Sequence, residues 1–196
     1  MGELKSITVF CGSSEGNDIN IISQAEQLGV ALAKENITLV YGAAKIGIMG
    51  KVAKASLEQH GKVIGVIPEF LKLKEVVHLG LYELITTKNM HERKLKMHEI
   101  SDGFITLPGG FGTFEELFEI ITWAQLGLHQ KPIGLLNCNG FYNDLISMLE
   151  TMVAKGFLKM ENLDLLIIEE NVDTLLEKMK SFKPKIVPKW LSIEKS

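Results

Sequence analysis

The stretch from Asp102 to Trp123, DGFITLPGGFGTFEELFEIITW, contains residue types that could bind an anion and perform acid–base chemistry. An apolar run ends in Gly109, Gly110 and Gly112, and a helix predicted to begin near Thr113 would offer backbone N–H groups without partners. Such a helix start is a common seat for phosphate. The loop matches neither a P-loop nor a dinucleotide fingerprint, so a plain strand-to-helix turn is the competing interpretation.

Two glutamates, Glu115 and Glu116, stand directly beside this predicted anion seat. The run Thr113-Phe114-Glu115-Glu116 matches a capping box, with Thr113 as N-cap and Glu116 at the third helical position. Acidic side chains in a first helical turn are also favoured by the helix dipole. The alternative is a catalytic carboxylate, and this stretch alone does not decide between the two.

A second helix, predicted over 90–100, places a charge on its apolar side. At 100° per residue Arg93 falls within the stripe formed by Met90, Met97 and Ile100. A buried guanidinium needs an anionic partner, and Glu116 could supply it. The alternative is an arginine whose stem covers apolar surface while its head stays in water. Lys94, at the edge of the stripe, could reach a phosphate or be solvated.

Apolar runs of strand length alternate with amphipathic runs of helix length along the chain. This alternation predicts one α/β domain over 1–196, a Rossmann-like, doubly wound, mostly parallel sheet flanked by helices on both faces. Ligands of such sheets bind where the strands end, so Ser13 and Gly42, which follow two of the strands, join the predicted site. Residues 70–81 are expected to be irregular. The predicted strands are 6–11, 37–42, 62–67, 82–87, 103–107, 132–137 and 165–169, and the predicted helices are 19–35, 48–60, 90–100, 113–127, 142–155 and 172–182.

The composition narrows the choice of partners. With 196 residues, 46% of them hydrophobic, and a net charge of −3, the chain has the core of a globular domain and no global charge that favours nucleic acid or an anionic membrane. Two distant cysteines predict free thiols in a reducing compartment, and we expect a cytoplasmic protein without a signal peptide or membrane span. The five histidines lack metal-ligand spacing, so no metal is predicted. The helix at 113–127 is apolar nearly all round, which favours a homodimer whose interface borders the site.

These residues resemble the Lonely Guy (LOG) family of cytokinin riboside 5'-monophosphate phosphoribohydrolases, many of which carry the older label "possible lysine decarboxylase". The signature Pro-Gly-Gly-x-Gly-Thr-x-x-Glu is complete at 108–116, at the family spacing from Met-His-Glu-Arg-Lys at 90–94. The resemblance extends from Phe10 to the helix near 155. It implies a Rossmann-like fold, dimers or larger assemblies, no cofactor, and hydrolysis of the N-glycosidic bond of an adenine nucleotide 5'-monophosphate.

Carried over residue by residue, the resemblance makes Arg93 and Glu116 catalytic. It also implies a set of nucleotide-binding positions, to which the glycine loop adds Gly109 and the strand ends add Ser13 and Gly42. The positions implied by the resemblance are Glu75, Arg93, Lys94, Gly110, Phe111, Gly112, Thr113, Phe114, Glu115, Glu116 and Thr122.

One departure and two alternatives accompany the resemblance. The family's second glycine loop commonly begins Gly-Gly-Gly, whereas this chain has Gly42-Ala43-Ala44, and the added methyl groups are predicted to crowd a close backbone contact. The alternatives are an enzyme that hydrolyses plain purine monophosphates such as AMP, and a nucleotide-binding or carrier protein like the molybdenum-cofactor carriers. Lysine decarboxylation is disfavoured, because neither Lys45 nor Lys94 has a context that requires a pyridoxal phosphate Schiff base.

Overall fold

The protein forms a seven-stranded parallel sheet. The computed structural model describes residues 4–72, 77–78 and 80–183. The sheet has the order β4-β3-β2-β1-β5-β6-β7, and all six neighbouring pairs are parallel. The predicted α/β class is therefore confirmed, with a sheet that is parallel throughout its described strands. The strands are β1 (Ser6–Phe10), β2 (Thr38–Tyr41), β3 (Val63–Pro68), β4 (Glu83–Thr87), β5 (Gly103–Thr106), β6 (Ile133–Leu136) and β7 (Leu166–Glu169).

Six long helices lie close to their predicted positions, and two short ones were not predicted. The short helices α3 and α7 have four residues each, and a turn of 3-10 helix occupies Cys138–Gly140. Elements this short complete barely one turn, so they leave no periodic pattern in the sequence. Helix α3 overlaps the start of the segment 70–81, which was predicted to be irregular. The helices are α1 (Ile19–Lys34), α2 (Gly47–Glu58), α3 (Glu69–Lys72), α4 (Met90–Glu99), α5 (Phe111–Gln125), α6 (Asn143–Ala154), α7 (Met160–Leu163) and α8 (Val172–Ser181).

Helices cover both faces of the sheet because its central strands are apolar on both sides. Alternate residues of β2 enter two different core clusters: Leu39 and Tyr41 pack with α1, α2 and α8, whereas Val40 packs on the face of α4, α5 and α6. This two-sided burial is the reason that these strands appear as continuous apolar runs. Within the described residues, no helix is both long and apolar enough to cross a bilayer.

The order of the strands creates a crevice between β1 and β5. From β1 the chain moves outward through α1 to β2 on one side, and from β5 it moves through α5 to β6 on the other. The loops that follow β1 and β5 therefore diverge, which is the arrangement that opens a ligand site in doubly wound sheets. Gly12 N–H donates to Pro108 O at 3.1 Å and holds the two loops together at the floor of the crevice.

Candidate active site

A cavity of about 450 Å³ occupies the crevice at the carboxyl ends of β1 and β5. Its size falls within the range of small-molecule sites. Its walls are the loop of residues 12–18, the glycines Gly109 and Gly110, and the apolar side chains of Ile21, Ile48 and Phe141. Ser13 is exposed on this wall, where the sequence predicted a ligand contact. The cavity thus joins the predicted glycine loop to an apolar surface that the sequence analysis did not identify.

The N-terminus of α5 opens toward this crevice without a side-chain cap. Gly110 is the N-cap residue. The hydrogen bonds of the helix start at Phe114, whose N–H donates to Gly110 O at 3.1 Å. The preceding N–H groups have no intrahelical acceptor. A Cβ added at Gly110 or Gly112 would meet nothing within 4 Å, so the backbone here is accessible. These amides are therefore available to an anion.

The start of α5 removes the capping-box interpretation of Glu116. Because the helix begins at Phe111 and not near Thr113, Glu116 lies in the second turn and cannot reach back to an N-cap amide. Thr113 is buried. Its hydroxyl oxygen would lie only 2.1 Å from a Cβ added at Gly109. Gly109 is thus required by close packing, since none of the three loop glycines has a left-handed φ.

Arg93 is buried on the core-facing side of α4, as the periodicity predicted. Arg93 is 9% exposed. Its Nε donates to the carbonyl oxygen of Val66, near the carboxyl end of β3, at 3.0 Å. Its Nη1 lies 3.9 Å from Oε1 of Glu116, and both side chains are nearly buried. Asn89 caps this helix by accepting from the Glu92 amide at 2.9 Å. The structure therefore brings together the two residues that were predicted to be catalytic.

The surroundings of Glu116 raise the pKa of its carboxyl group into the neutral range. Burial is the largest cause and raises the pKa of this carboxyl to about 7. The positive charge of Arg93 opposes the shift, and the neighbouring Glu115 adds to it. A carboxyl with a pKa near the working pH can accept and release a proton efficiently, which suits a general base.

Cys11 is a neighbour of this pair that the sequence analysis did not assign to the site. The thiol is buried at the end of β1, and burial followed by the charge of Glu116 raises its pKa well above the ordinary value. Its position directly after an apolar strand at the ligand edge was the signal that could have placed it here. Because the thiol stays protonated, Cys11 is an uncharged packing neighbour of the pair and not a nucleophile.

Lys94 lies in an ion-pair cluster between α4 and α5. Its Nζ is 2.5 Å from Oε1 of Glu115 and 2.9 Å from Oε1 of Glu119, and its side chain is 10% exposed. Burial lowers its pKa, but the two carboxylates outweigh burial, and the net shift is upward. The lysine is therefore a protonated, doubly paired ammonium in this structure.

Four other predicted positions have mixed outcomes. Phe114 is half-buried and packs edge-on against Tyr142, with ring centroids 5.7 Å apart. Thr122 is exposed, donates to the Phe118 carbonyl at 2.6 Å, and lies roughly 9 Å beyond Glu116 along the helix axis. It is therefore separate from the glycine loop within one chain. Phe111 is 97% exposed, and Glu75 lies outside the described residues.

The second glycine loop serves packing and not anion binding. Gly47 has φ +66°, and a Cβ there would stand 2.3 Å from the Ser13 backbone. The first amides of α2 already have acceptors, because Ile48 N–H donates to Ser14 O and Met49 N–H donates to Gly12 O, both at 3.3 Å. This helix start therefore has fewer free donors than the start of α5.

The two alanines that depart from the family pattern point into the protein. Ala43 and Ala44 are 0% and 1% exposed, so their methyl groups do not crowd an open ligand surface. Ala43 has a φ of +68°, in the left-handed region that glycine adopts most easily. Gly65 on the neighbouring strand leaves room for the Ala43 methyl, since a Cβ on Gly65 would stand 2.8 Å from it.

Comparison with known proteins agrees with this geometry. The family model described as "Possible lysine decarboxylase" matches residues 49–179. The chain is 43% identical over 183 residues to cytokinin riboside 5'-monophosphate phosphoribohydrolase LOG1 of Arabidopsis thaliana, covering 93% of this chain and 86% of that protein. The chain belongs to the LOG family. A bacterial LOG-family enzyme named for the same activity, from Rhodococcoides fascians, is 43% identical over 178 residues and 90% of each chain.

Solved structures with similar folds include proteins outside the LOG family's named activity. The molybdenum cofactor binding protein of Rippkaea orientalis superposes with a TM-score of 0.69 at 24% identity, over 91% of this chain and 96% of that one. The Moco carrier protein of Chlamydomonas reinhardtii gives a TM-score of 0.69 at 19% identity, over 91% and 96% of the two chains. At these identities the likeness concerns the fold alone.

Proposed function

We propose that the protein is a phosphoribohydrolase that cleaves the N-glycosidic bond of N6-substituted adenosine 5'-monophosphates, releasing free base and ribose 5-phosphate. The observation that carries the proposal is the buried pair of Arg93 on α4 and Glu116 on α5, with 3.9 Å between Nη1 and Oε1. The uncapped N-terminus of α5 faces the crevice. The relatives named for this activity, at about 43% identity over most of the chain, support the same substrate class.

In this mechanism the start of α5 holds the 5'-phosphate. The free amides after Gly110 supply donors, Ser13 on the opposite wall adds a hydroxyl, and Gly112 keeps the approach open. A phosphate held at this point places the ribose toward the second turn of the helix, where Glu116 lies. An anion seat next to an acid is consistent with a ligand that has a phosphate at one end and a sugar that becomes cationic at the other.

Glu116 acts on the sugar carbon. As the bond between the purine nitrogen and C1' breaks, its electron pair remains on the base and C1' gains oxocarbenium character, which the carboxylate stabilises. The water oxygen then bonds to C1', and one of its protons passes to Glu116 and on to the departing base or solvent. Arg93 orients the carboxylate through the ion pair, and its own position is fixed by the Val66 carbonyl.

Pyridoxal phosphate chemistry, which the description of the family model suggests, does not fit the lysine of this site. A Schiff-base lysine must lose its proton to attack an aldehyde. Lys94 is held by two carboxylates that raise its pKa, so the ammonium form is favoured. Lys94 therefore does not fit the role of a Schiff-base lysine for that cofactor.

We also propose a homodimer, alone or as the unit of a larger assembly, that forms through the outer side of α5. Phe118 and Leu126 are 38% and 62% exposed, and their spacing around Thr122 puts all three on one helix face. Leu128, just beyond the helix, is 65% exposed. An apolar helix face of this kind is typical of a subunit interface, and it would bring Thr122 to the boundary between subunits. Both cysteines are buried free thiols, and we therefore still expect a reducing, cytoplasmic compartment.

Chromatography of reaction products tests the activity. Purified protein is incubated with AMP, with N6-isopentenyl-AMP and with N6-isopentenyladenosine, which lacks the phosphate. We expect free base from the monophosphates, faster from the N6-substituted one, and very little from the nucleoside because the anion seat stays empty. Faster release from AMP would make the protein a purine monophosphate nucleosidase instead. Tight binding of both monophosphates with no release of base would favour a carrier.

A further inference from the structure

Lys94 of α4 forms ion pairs with two glutamates of α5. Its Nζ lies between the carboxylates of Glu115 and Glu119, at 2.5 and 2.9 Å. These two glutamates are one turn apart on α5, so one lysine from α4 connects two turns of the helix that carries Glu116. The side chain is 10% exposed. The ammonium group has three N–H donors, so two face these carboxylates and one remains for another acceptor, such as a substrate phosphate.

We infer that Lys94 is a positioning residue for Glu116, on which it acts through Glu115 and Glu119. The inference rests on the proposed phosphoribohydrolase activity. Residues 93 and 94 on α4 then have separate roles. Arg93 faces Glu116 itself, at 3.9 Å, and Lys94 neutralises Glu115 and Glu119, which precede and follow Glu116 in the sequence.

The charges around Glu116 support this division. The groups that face its carboxyl are Arg93 and Lys94 from α4, Glu115 and Glu119 from α5, and the neutral thiol of Cys11 from β1. The two cations lower the pKa of Glu116, and the two carboxylates raise it. Removal of the Lys94 charge would leave Glu115 and Glu119 uncompensated, so Glu116 would hold its proton more tightly.

The pH dependence of kcat/KM is the measurement that separates the two roles. Because Glu116 must be ionised to act, the rate rises with pH through the pKa of this residue. In Lys94→Met the rising limb should move to higher pH, by roughly half a unit or more, with the lost rate recovered on the alkaline side. In Glu119→Gln the limb should move to lower pH, since one of the negative charges is gone. Opposite shifts of this kind would not result from loosened packing.

Two further variants complete the comparison. Lys94→Arg keeps a cation that can bind two carboxylates and should restore the wild-type limb. Lys96→Met removes a lysine of the same helix that pairs with Glu99 at 3.7 Å and is 41% exposed, so it should leave the profile unchanged. If Lys94→Met does not fold, Lys94→Arg and Glu119→Gln still give the expected wild-type limb and the downward shift.

The outcomes are distinct from a failure of the proposed function. No base from the wild-type enzyme at any pH would remove the phosphoribohydrolase assignment itself. A wild-type enzyme that is active, with an unmoved limb in Lys94→Met and Glu119→Gln, would overturn the positioning role. A raised KM and weaker inhibition by inorganic phosphate in Lys94→Met, with the limb unmoved, would establish phosphate binding in its place.

Discussion

The guanidinium of Arg93 rests directly against the backbone of Gly42. A Cβ built on Gly42 would stand 2.1 Å from Arg93 Nη2 and 2.9 Å from the sulfur of Met49. Arg93 is thus confined near the ends of two strands, with Gly42, directly after β2, beneath it and the Val66 carbonyl on β3 accepting from its Nε. This contact requires glycine at position 42 for the sake of Arg93, independently of any ligand contact there.

Substitution of Gly42 should therefore damage catalysis through Arg93. In Gly42→Ala the methyl group displaces the guanidinium and weakens its orientation of Glu116, and we expect kcat to fall roughly 10- to 100-fold. Steady-state kinetics and far-UV circular dichroism would separate this loss from unfolding. Gly103→Ala is the control, because a Cβ at the amino end of β5 would meet three side-chain carbons, of Met179, Pro132 and Leu4, at 3.2 to 3.4 Å, and no part of the site. Wild-type turnover in Gly42→Ala would refute the confined-arginine account.

Glu116 should make stability depend on pH. Its pKa rises from 4.5 to about 7 in the folded protein, so ionisation costs folding free energy that is absent below 4.5 and complete above 7. Glu116→Gln stays neutral. As the pH rises from below 4.5 to above 7, the unfolding free energy of the variant relative to wild type should increase by on the order of 3 kcal/mol. Urea denaturation at these two pH values measures the change. The exposed Glu58→Gln serves as a control and should show no such gain. A pH-independent difference would mean that Glu116 is not held in an unfavourable environment.

The wild-type enzyme should lose activity on the acidic side of neutrality. Since the ionised form of Glu116 is the one that stabilises the sugar cation, kcat/KM should rise tenfold per pH unit below about 7 and level off above it. Initial rates with N6-isopentenyl-AMP at constant ionic strength would give this profile. A rate that is constant across the neutral range would exclude Glu116 as the ionised catalytic group.

A charge on the outer face of α5 should disrupt the proposed dimer. Phe118 is 38% exposed within one chain, and Phe118→Glu would place a carboxylate in an apolar interface. We expect a monomer in size-exclusion chromatography with light scattering, together with reduced activity. Met160→Glu on α7, where the side chain is 55% exposed, should keep the wild-type mass. A wild-type mass for Phe118→Glu would move the interface elsewhere.

Sequence patterns were sufficient for the scaffold. The central strands are buried on both faces and therefore appear as apolar runs, and six long helices were recovered to within about two residues. The burial of Arg93 also followed from helical periodicity, because only one face of α4 can meet the sheet. That burial implied an anionic partner nearby, and Glu116 occupies that position.

Other features depended on contacts that a one-dimensional pattern does not contain. A glycine N-cap has no side-chain signature, so the true start of α5 at Phe111 was hidden by the more familiar Thr-x-x-Glu pattern. The two bonds of Lys94 depend on how α4 packs beside α5, and that geometry decides between a solvated lysine and a paired one. The buried methyl of Ala43 likewise depends on Gly65, a residue of the next strand.

The most direct test of the central claim follows oxygen into the product. Wild-type protein and Glu116→Gln are incubated with N6-isopentenyl-AMP in water enriched in oxygen-18, and base and ribose 5-phosphate are measured by mass spectrometry. We predict that the wild type releases base together with ribose 5-phosphate that carries one labelled oxygen at C1 from the earliest time points, before the free sugar exchanges this oxygen with water. Glu116→Gln should be slower by at least about a hundredfold while remaining folded. Unlabelled sugar phosphate, or release of base by Glu116→Gln at the wild-type rate, would contradict hydrolysis by the Arg93–Glu116 pair.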